Sequence, residues 1–361
     1  MQKIKFRFKE DHVDSFAELG DLKAVFIDLT NRCNLRCRYC FNYHALQESP
    51  RHLDPGIIEQ VLHAKRAGSV KNWFLSGGEP VLYRHLSEVL ALFRGEGARP
   101  KIATNGTKLT PEIIDSWIGY GVPSVQISLD TLDAGRHAYL NGGRKHDHAA
   151  VLRNIDYAVG SPLRVVVSSV LTEVNKREIK EIMAFCFESG VNSYTLYPNV
   201  PSDTRQKDLI VPFPELLELM DELFAAYNSL SPARIIDITI PCFSDSAVYE
   251  KWKDLVAFRL HYCAAAQVAL KITCEGMVSA CICQDKDPFI IGDLRRDSLD
   301  DIWVSDKARE FRSLYTRIPE CRLCSRSGVC RGGCRNNAFL FGSKGIYSLD
   351  PYCRYFKSLE E

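Results

Sequence analysis

The chain reads AVFIDLTNRCNLRCRYCF from Ala24 to Phe41, an apolar strand-like run followed by three closely spaced cysteines. Cys33, Cys37 and Cys40 form a C-x3-C-x2-C pattern with no fourth cysteine nearby. A structural zinc site normally closes its tetrahedron with four ligands. Three thiolates instead suit an iron–sulfur cluster that keeps one iron open for another ligand. For this run alone, a zinc knuckle short of one ligand and unrelated buried thiols are the alternatives.

The composition is that of an ordinary globular protein of one large or two smaller domains, with 361 residues and 46% hydrophobic residues. A net charge of +1 provides no basic field for nucleic acid or an anionic membrane. The sequence contains no apolar run of membrane-spanning length and no signal peptide pattern. We therefore expect a cytoplasmic protein, in which fourteen cysteines favour metal binding or catalysis over disulfides.

Strand-like and helical patterns alternate from residue 23 to about residue 230. The strand-like runs are 24–29, 73–75, 102–104, 125–129, 165–171 and 194–197, and the helical patterns include 57–67, 86–93, 111–118, 149–158 and 178–187. Strands that are apolar on both faces and alternate with helices indicate parallel βαβ units. Six such units are fewer than the eight of a closed barrel. The fold class is therefore α/β, an open or partial (β/α)6 TIM-like barrel.

Polar motifs follow the first four predicted strands. They are the cysteine run, the Ser-Gly-Gly-Glu-Pro stretch at 76–80, Asn105-Gly106, and the Ser-Leu-Asp-Thr stretch at 128–131. Because the carboxyl ends of parallel strands meet at one edge, these motifs predict a functional site there. Gly77 and Gly78 would let a ligand approach the backbone, and Glu79 would accept from an ammonium group. A plain turn is the alternative for the glycine stretch alone.

The alternation stops after residue 230. Residues 234–240 suggest one more strand, 245–258 a helix, 270–283 a hairpin around Gly276, and 297–314 helical structure. The segment 260–361 has little apolar periodicity and many cysteines, which indicates that bound metals stabilise its fold. We expect an N-terminal extension at 1–22, the partial barrel at 23–235 and a small cysteine-rich domain with a β-hairpin at 236–361.

Cysteines of the C-terminal part fall into two spaced patterns. Cys263, Gly276 and Cys281 form C-x12-G-x4-C. The second pattern is C-x2-C-x5-C-x3-C, followed by one further cysteine, and it comprises Cys321, Cys324, Cys330, Cys334 and Cys353. Zinc ribbons are the alternative interpretation, since C-x2-C pairs are common in zinc sites.

Together, the cysteine run with Tyr39 as its aromatic and the Gly-Gly-Glu-Pro stretch about 40 residues later resemble the radical SAM superfamily. The resemblance implies that Cys33, Cys37 and Cys40 hold a 4Fe–4S cluster whose open iron binds S-adenosylmethionine. It also implies that the two glycines and Glu79 contact the methionine amino group of the cofactor, that Ser128 and Asp130 contact its ribose or methionyl part, and that an arginine pairs with its carboxylate. The cofactor-binding residues expected on this basis are Gly77, Gly78, Glu79, Pro80, Asn105, Ser128, Asp130 and Arg144, with Arg136 as the other candidate arginine.

The C-terminal patterns resemble the SPASM extension of these enzymes, which carries auxiliary 4Fe–4S clusters. The resemblance implies two such clusters, a distal one on Cys321, Cys324, Cys330 and Cys353 and a nearer one on Cys263, Cys281 and Cys334. For the nearer cluster, Cys283 is the tentative fourth ligand, since strand geometry places it about 7 Å from Cys281 on the same side. Cys274 lies farther away, and an open iron is the alternative. Cys186 is expected to be a buried small hydrophobe. Cys242 could donate a hydrogen atom to a substrate radical, with a structural thiol as the alternative.

The resemblance implies cleavage of S-adenosylmethionine to a 5′-deoxyadenosyl radical, hydrogen abstraction from a substrate and an oxidative outcome. We expect maturation of a peptide or protein by cross-linking or dehydrogenation. Ile282 stands where sulfatase maturases carry an aspartate, which weighs against that subgroup. Dehydrogenation or epimerisation of a sugar or aminocyclitol is the second hypothesis, and an iron–sulfur electron carrier or zinc-binding module is the third. Expected partners are a flavodoxin- or ferredoxin-type reductant, a peptide or small-molecule substrate and a separate peptide-recognition protein, with no nucleic acid and no membrane.

Overall fold

The computed structural model describes residues 21–229, 235–238, 263–324, 327–351 and 353. The strands in these ranges are β1 (Ala24–Asp28), β2 (Asn72–Ser76), β3 (Pro100–Thr104), β4 (Ser124–Ser128), β5 (Arg164–Leu171), β6 (Ser193–Pro198), β7 (Ile235–Ile238), β8 (Ala269–Ile272), β9 (Met277–Ser279) and β10 (Ile290–Asp293). The helices there are α1 (Pro55–His63), α2 (Leu86–Gly95), α3 (Pro111–Gly119), α4 (Ala134–Asn141), α5 (Lys145–Val159), α6 (Ile179–Glu188), α7 (Phe213–Ser229), α8 (Leu299–Val304), α9 (Asp306–Arg312), α10 (Pro319–Arg322), α11 (Ser327–Cys330) and α12 (Arg335–Phe341).

These strands form one sheet in the order β10-β9-β8-β1-β2-β3-β4-β5-β6-β7. The strands from β1 to β7 pair in chain order and are all parallel. This arrangement confirms the predicted partial α/β barrel, since the sheet ends in two edge strands and does not close. The predicted hairpin is also confirmed, because β8 and β9 are antiparallel around Gly276, whose φ is +81°. The pairing of β8 with β1 in parallel was not predicted.

The parallel strands have two different faces, whereas the sequence analysis expected both faces to be apolar. Val25 and Ile27 of β1 are fully buried in the apolar core with the helices. The alternate residues, Phe26 and Asp28, share the other face with Lys271 of β8, which is paired with Phe26. On the same face, β4 and β5 carry paired serines, Ser128 and Ser168. The inner face of the unclosed barrel is therefore partly polar, which suits a lined site.

Local sequence accounts for several helix boundaries. Thr110 accepts a hydrogen bond from the Ile113 N–H at the start of α3, and Pro111 follows it as predicted. The helical pattern at 297–314 proves to be two helices, because Ser305 ends α8 and caps α9 by accepting from the Ala308 N–H. No helix in the described ranges is long and apolar enough to cross a membrane. The predicted helix at 245–258 and Cys242 lie outside the described residues.

Candidate cluster and cofactor site

The cysteine loop begins directly after β1 at the carboxyl edge of the sheet. Cys33, Cys37 and Cys40 lie near one another, and burial raises the pKa of all three thiols, that of Cys40 to about 12. The Leu35 N–H and the Asn105 side-chain amide donate to the Cys33 sulfur at 3.4 and 3.8 Å. Neighbouring thiolates raise the Cys37 pKa further. Because metal binding deprotonates cysteine ligands, three thiols in one loop are a chemically suitable donor set for iron.

The glycine stretch after β2 packs against this loop. The Gly78 N–H donates to the Thr30 carbonyl at 2.6 Å and the Glu79 N–H to the Arg32 carbonyl at 2.8 Å. A Cβ atom on Gly78 would lie 2.3 Å from the Arg32 oxygen, and one on Gly77 would lie 2.4 Å from the Thr30 oxygen. The close approach that requires glycine is therefore made by the chain itself, whereas we had expected a ligand to make it. The Gly77 carbonyl accepts from the Asn42 side-chain amide at 3.3 Å.

Glu79 joins the glycine stretch to the end of β3. Its fully buried carboxylate accepts from the Thr104 hydroxyl at 2.7 Å, the Asn105 N–H at 2.8 Å and the Val81 N–H at 3.2 Å. Burial raises the pKa of Glu79, and these three hydrogen bonds oppose that rise. Pro80 begins the short 3-10 helix that follows. Contact between Glu79 and an ammonium group of the cofactor stays a prediction.

Asp130, after β4, supports the cysteine loop from the other side. Its buried carboxylate accepts from the Tyr39 hydroxyl and, at 2.8 Å, from the Val170 N–H. Burial raises the pKa of Asp130 to about 6, although the hydrogen bond from Tyr39 opposes the shift. The Asn141 side-chain oxygen lies 2.9 Å from the same hydroxyl. The Asn141 backbone carbonyl accepts from the Arg36 N–H at 2.9 Å, so the end of α4 also holds this loop.

The remaining predicted cofactor residues are placed as follows. Ser128 ends β4 on the inner face, and Asn105 lies beside Cys33. Arg144 is exposed at the start of α5, where its backbone N–H donates to Asp147 at 2.7 Å. The Arg136 side chain pairs with Glu178. The role of each of these residues in binding the cofactor stays a prediction.

The loop after β6 contributes residues that the sequence analysis missed. The Gln206 side-chain amide donates to the Cys40 carbonyl and the Arg38 carbonyl, each at 3.0 Å. The Ser202 hydroxyl donates to the Cys40 carbonyl at 3.2 Å. Asn199 is buried, and among the residues that the structure describes neither polar atom of its side-chain amide has a hydrogen-bond partner. The rule that polar residues following parallel strands share one edge, applied to the sixth strand, would have found this loop.

The C-terminal cysteines lie in two groups, whose role as cluster ligands stays a prediction. A hydrogen bond with the Cys283 thiol, together with burial, raises the pKa of Cys281, and Cys263 lies close enough to add to the rise. Burial raises the pKa of Cys334 well above its ordinary value, and Asp350, Cys263 and Cys281 raise it further. In the second group, burial raises the pKa of Cys321 to about 11, and the neighbouring thiols are Cys324, Cys330 and Cys353.

Two other cysteines lie apart from these groups. Burial raises the pKa of Cys274 to about 11, and the other groups that influence it are charged side chains, those of Asp28, Lys271, Arg51 and Asp285. Cys186 is fully buried among the apolar residues of α6, as predicted. In the part of the chain that the structure describes, no three His, Cys, Asp or Glu side chains are spaced to hold a single metal ion.

The fold and the cysteine groups define an unclosed α/β barrel with thiols at its carboxyl edge, and sequence comparison agrees. Residues 27–186 match the radical SAM superfamily, and residues 263–325 match SPASM, an iron–sulfur cluster-binding domain. The PqqA peptide cyclase of Xanthomonas euvesicatoria pv. vesicatoria (strain 85-10) is 27% identical over 344 residues, which cover 91% of this chain and 87% of that protein. The GTP 3′,8-cyclase of Corynebacterium glutamicum (strain R) is 32% identical over 235 residues, 62% of this chain and 60% of that protein.

Solved structures share the fold. The structure of Streptococcus suis SuiB bound to S-adenosylmethionine superposes with a TM-score of 0.73 at 19% identity, covering 93% of this chain and 78% of that one. SuiB bound to the precursor peptide SuiA gives a TM-score of 0.73 at 19% identity and covers 92% of this chain and 75% of that one.

The chain belongs to the radical SAM superfamily and is a radical SAM enzyme with a C-terminal SPASM domain. Membership implies iron–sulfur clusters and binding of S-adenosylmethionine.

Proposed function

We propose that this enzyme oxidatively matures a peptide or protein, by cross-linking or dehydrogenation. The observation that carries the proposal is the similarity to a PqqA peptide cyclase, which extends over 91% of this chain and therefore spans both the barrel and the cysteine-rich part. Solved relatives of the same fold include a complex with a precursor peptide. When bound, S-adenosylmethionine would supply, on one-electron reductive cleavage, a 5′-deoxyadenosyl radical able to take one hydrogen atom from the substrate. The second electron of the oxidation would pass to the auxiliary clusters, and the second proton would be lost to solvent.

We propose that Cys33, Cys37 and Cys40 hold the first 4Fe–4S cluster, and that the 236–361 domain holds two more. The nearer auxiliary cluster takes Cys263, Cys281, Cys283 and Cys334, and the distal one takes Cys321, Cys324, Cys330 and Cys353. The grouping of the thiols supports these sets, because each thiol that was assigned from spacing has members of its own set as neighbours. The proximity of Cys283 to Cys281 favours it as the fourth ligand of the nearer cluster.

Several side chains of the barrel are proposed to serve the cofactor without supplying chemistry. Glu79 and Asp130 hold the loops that flank the cysteines. The buried amide of Asn199, which has no partner in the described part of the chain, supplies a donor and an acceptor at the same edge. A flavodoxin- or ferredoxin-type protein would provide electrons, and a separate protein would present the peptide.

For Cys242, loss of product with retained cofactor cleavage in Cys242→Ala would support a hydrogen-donor role.

The central test is anaerobic reconstitution followed by iron analysis and measurement of 5′-deoxyadenosine. The wild-type enzyme should bind about twelve irons, three clusters of four, and cleave S-adenosylmethionine. Cys33→Ala should abolish cleavage, whereas Cys186→Ala, which alters a buried thiol of α6, should retain it. Continued cleavage by the Cys33 variant would contradict the proposal.

The substrate class needs a separate measurement. Incubation with short peptides encoded beside the gene should yield a product lighter by two hydrogen atoms. A small-molecule substrate is the second candidate, because a GTP cyclase is among the relatives, at 32% identity over 235 residues. Turnover of a sugar or aminocyclitol in place of any such peptide would establish that candidate and reject the peptide.

A further inference from the structure

A buried ammonium group lies on the inner face of the sheet. Lys271 of β8 is 1% exposed. Its Nζ lies 2.9 Å from an Asp28 carboxylate oxygen, donates to the Asn42 side-chain oxygen at 2.7 Å and lies 3.7 Å from an Asp285 carboxylate oxygen. The Phe41 ring centroid is 5.3 Å from the same nitrogen.

These partners belong to two different loops. Asn42 follows Cys40 by two residues, and its amide donates to Asp28 at 3.1 Å and to the Gly77 carbonyl at 3.3 Å. Asp285 follows Cys283 by two residues. The Lys271 ammonium group therefore contacts the first cysteine loop and, through Asn42, the glycine stretch. It also lies within ion-pair distance of the loop of the nearer auxiliary cysteines.

The two carboxylates keep this group charged. Burial alone lowers the pKa of Lys271, but Asp28 and Asp285 outweigh that effect and raise it above its ordinary value. A buried ion pair is weak evidence for a stability role, because packed apolar residues often stabilise a protein equally well. The position of the charge is more informative, since the Lys271 ammonium group lies 2.7 Å from the Asn42 side-chain oxygen on one side and 3.7 Å from an Asp285 carboxylate oxygen on the other.

We propose that Lys271 is a positioning residue that couples the S-adenosylmethionine site to the nearer auxiliary cluster. The inference rests on the proposed ligand sets. Through Asn42, Lys271 fixes the Gly77 carbonyl, and through Asp285 it fixes the loop beyond Cys283, while its positive charge favours the reduced state of the adjacent cluster. Coupling of this kind is reciprocal, so cofactor binding should change the reduction potential of the nearer cluster.

The test is a redox titration of the reconstituted enzyme, followed by electron paramagnetic resonance with and without S-adenosylmethionine. In the wild type, the cofactor should shift the reduction equilibrium of the nearer cluster at least threefold. Lys271→Met should lower that equilibrium constant about tenfold, which is about 59 mV for one electron, and should abolish the cofactor-dependent shift. The distal cluster should keep its potential and serves as an internal reference.

Lys101→Met is the matched control. Lys101 also lies on a strand, donates to an asparagine oxygen at 2.8 Å and lies 5.2 Å from a phenylalanine ring centroid, but it is at the amino end of β3. This variant should keep both the potential and the shift. Wild-type behaviour in Lys271→Met, or a wild-type enzyme without any cofactor-dependent shift, would overturn the proposal.

If Lys271→Met does not fold, two variants that each remove one partner of the Lys271 ammonium group test the coupling instead. Asn42→Ala should leave the potential of the cofactor-free enzyme unchanged and lose the shift, whereas Asp285→Asn should change the potential itself. Retention of the wild-type potential and shift in both variants would reject the coupling. Failure of the proposed ligand sets would look different, because the wild type would then lack the nearer cluster in iron analysis and resonance spectra. Failure of the proposed peptide maturation would leave the potential and its shift intact while no peptide product formed.

Discussion

Gly78 shows how a single missing side chain positions the cysteine loop. Its N–H reaches the Thr30 carbonyl, and its α-carbon lies so near the loop that an added Cβ would be 2.6 Å from the Arg32 carbonyl carbon. Backbone atoms cannot move aside as the end of a flexible side chain can. The distance between the glycine stretch and the cysteines is therefore set by the absence of a side chain at this position.

Gly78→Ala should displace the loop that carries Cys33, Cys37 and Cys40. Because a misplacement of about 1 Å can cost on the order of 100-fold in rate, we expect formation of 5′-deoxyadenosine to fall by about that factor. Gly119→Ala is the control, since an added Cβ at the end of α3 meets no atom within 4 Å. The assay is cofactor cleavage at equal iron content. Equal rates for the two variants would show that the contact has no consequence.

At the residue scale, the position of the site was predictable and the detailed use of its residues was not. The motif order placed Gly77, Glu79 and Asp130 at the carboxyl edge, where the structure has them. The spacing could not reveal that the carboxylate oxygens of Glu79 and Asp130 accept hydrogen bonds from donors within the protein itself. Those partners, such as the Val170 N–H, come from neighbouring strands and depend on register, which a single sequence does not encode locally.

At the scale of elements, α4 and α5 together support the cysteine loop through a buried histidine pair. His137 of α4 and His148 of α5 lie with ring centroids 5.3 Å apart, and a His137 ring nitrogen is 3.1 Å from the Asn141 amide. Burial, followed by the proximity of His148, lowers the pKa of His137 to about 4. Acid pH should therefore loosen the end of α4, from which Asn141 contacts Tyr39.

His137 should make the apoprotein sensitive to acid. With a pKa near 6.5 when unfolded and about 4 when folded, the folded state binds fewer protons, so stability is complete above the unfolded value and declines as pH falls towards the folded one. Between pH 7.5 and 5 this linkage amounts to about 2 kcal/mol. Urea unfolding at the two pH values should show a loss smaller by that amount in His137→Gln. The exposed His146, changed in the same way, should leave the loss unaltered.

Element types were more predictable than element boundaries. Thr110 and Pro111 mark the start of α3 by local chemistry alone, so that helix was predicted closely. Ser305 lies inside a helical pattern and could equally have been an exposed helical residue. The structure uses its hydroxyl as a cap because the chain turns there to pack both short helices against the core, through Trp303 and Phe311. Such a break depends on tertiary contacts.

At the scale of the whole molecule, the cysteine-rich part is joined to the barrel by strand pairing. Ala24 to Ile27 of β1 pair in register with Ala269 to Ile272 of β8, in parallel. The sequence predicts the hairpin as part of a separate domain, since four residues cannot indicate which distant strand they will join. The pairing covers the edge of β1 and places Lys271 beside Asp28.

A chain that ends at residue 238 should therefore fail to form an independent barrel. Removing β8 exposes the backbone edge of β1, which invites pairing between molecules, and leaves the buried carboxylate of Asp28 without its ammonium partner. We expect aggregation in size-exclusion chromatography and loss of cooperative unfolding by circular dichroism. Full-length Cys321→Ser, which removes a proposed ligand of the distal cluster but keeps β8, should elute as the wild type does and unfold cooperatively. If the shortened chain were monomeric, bound about four irons and cleaved S-adenosylmethionine, β8 would be an addition to a complete barrel and not a structural part of it.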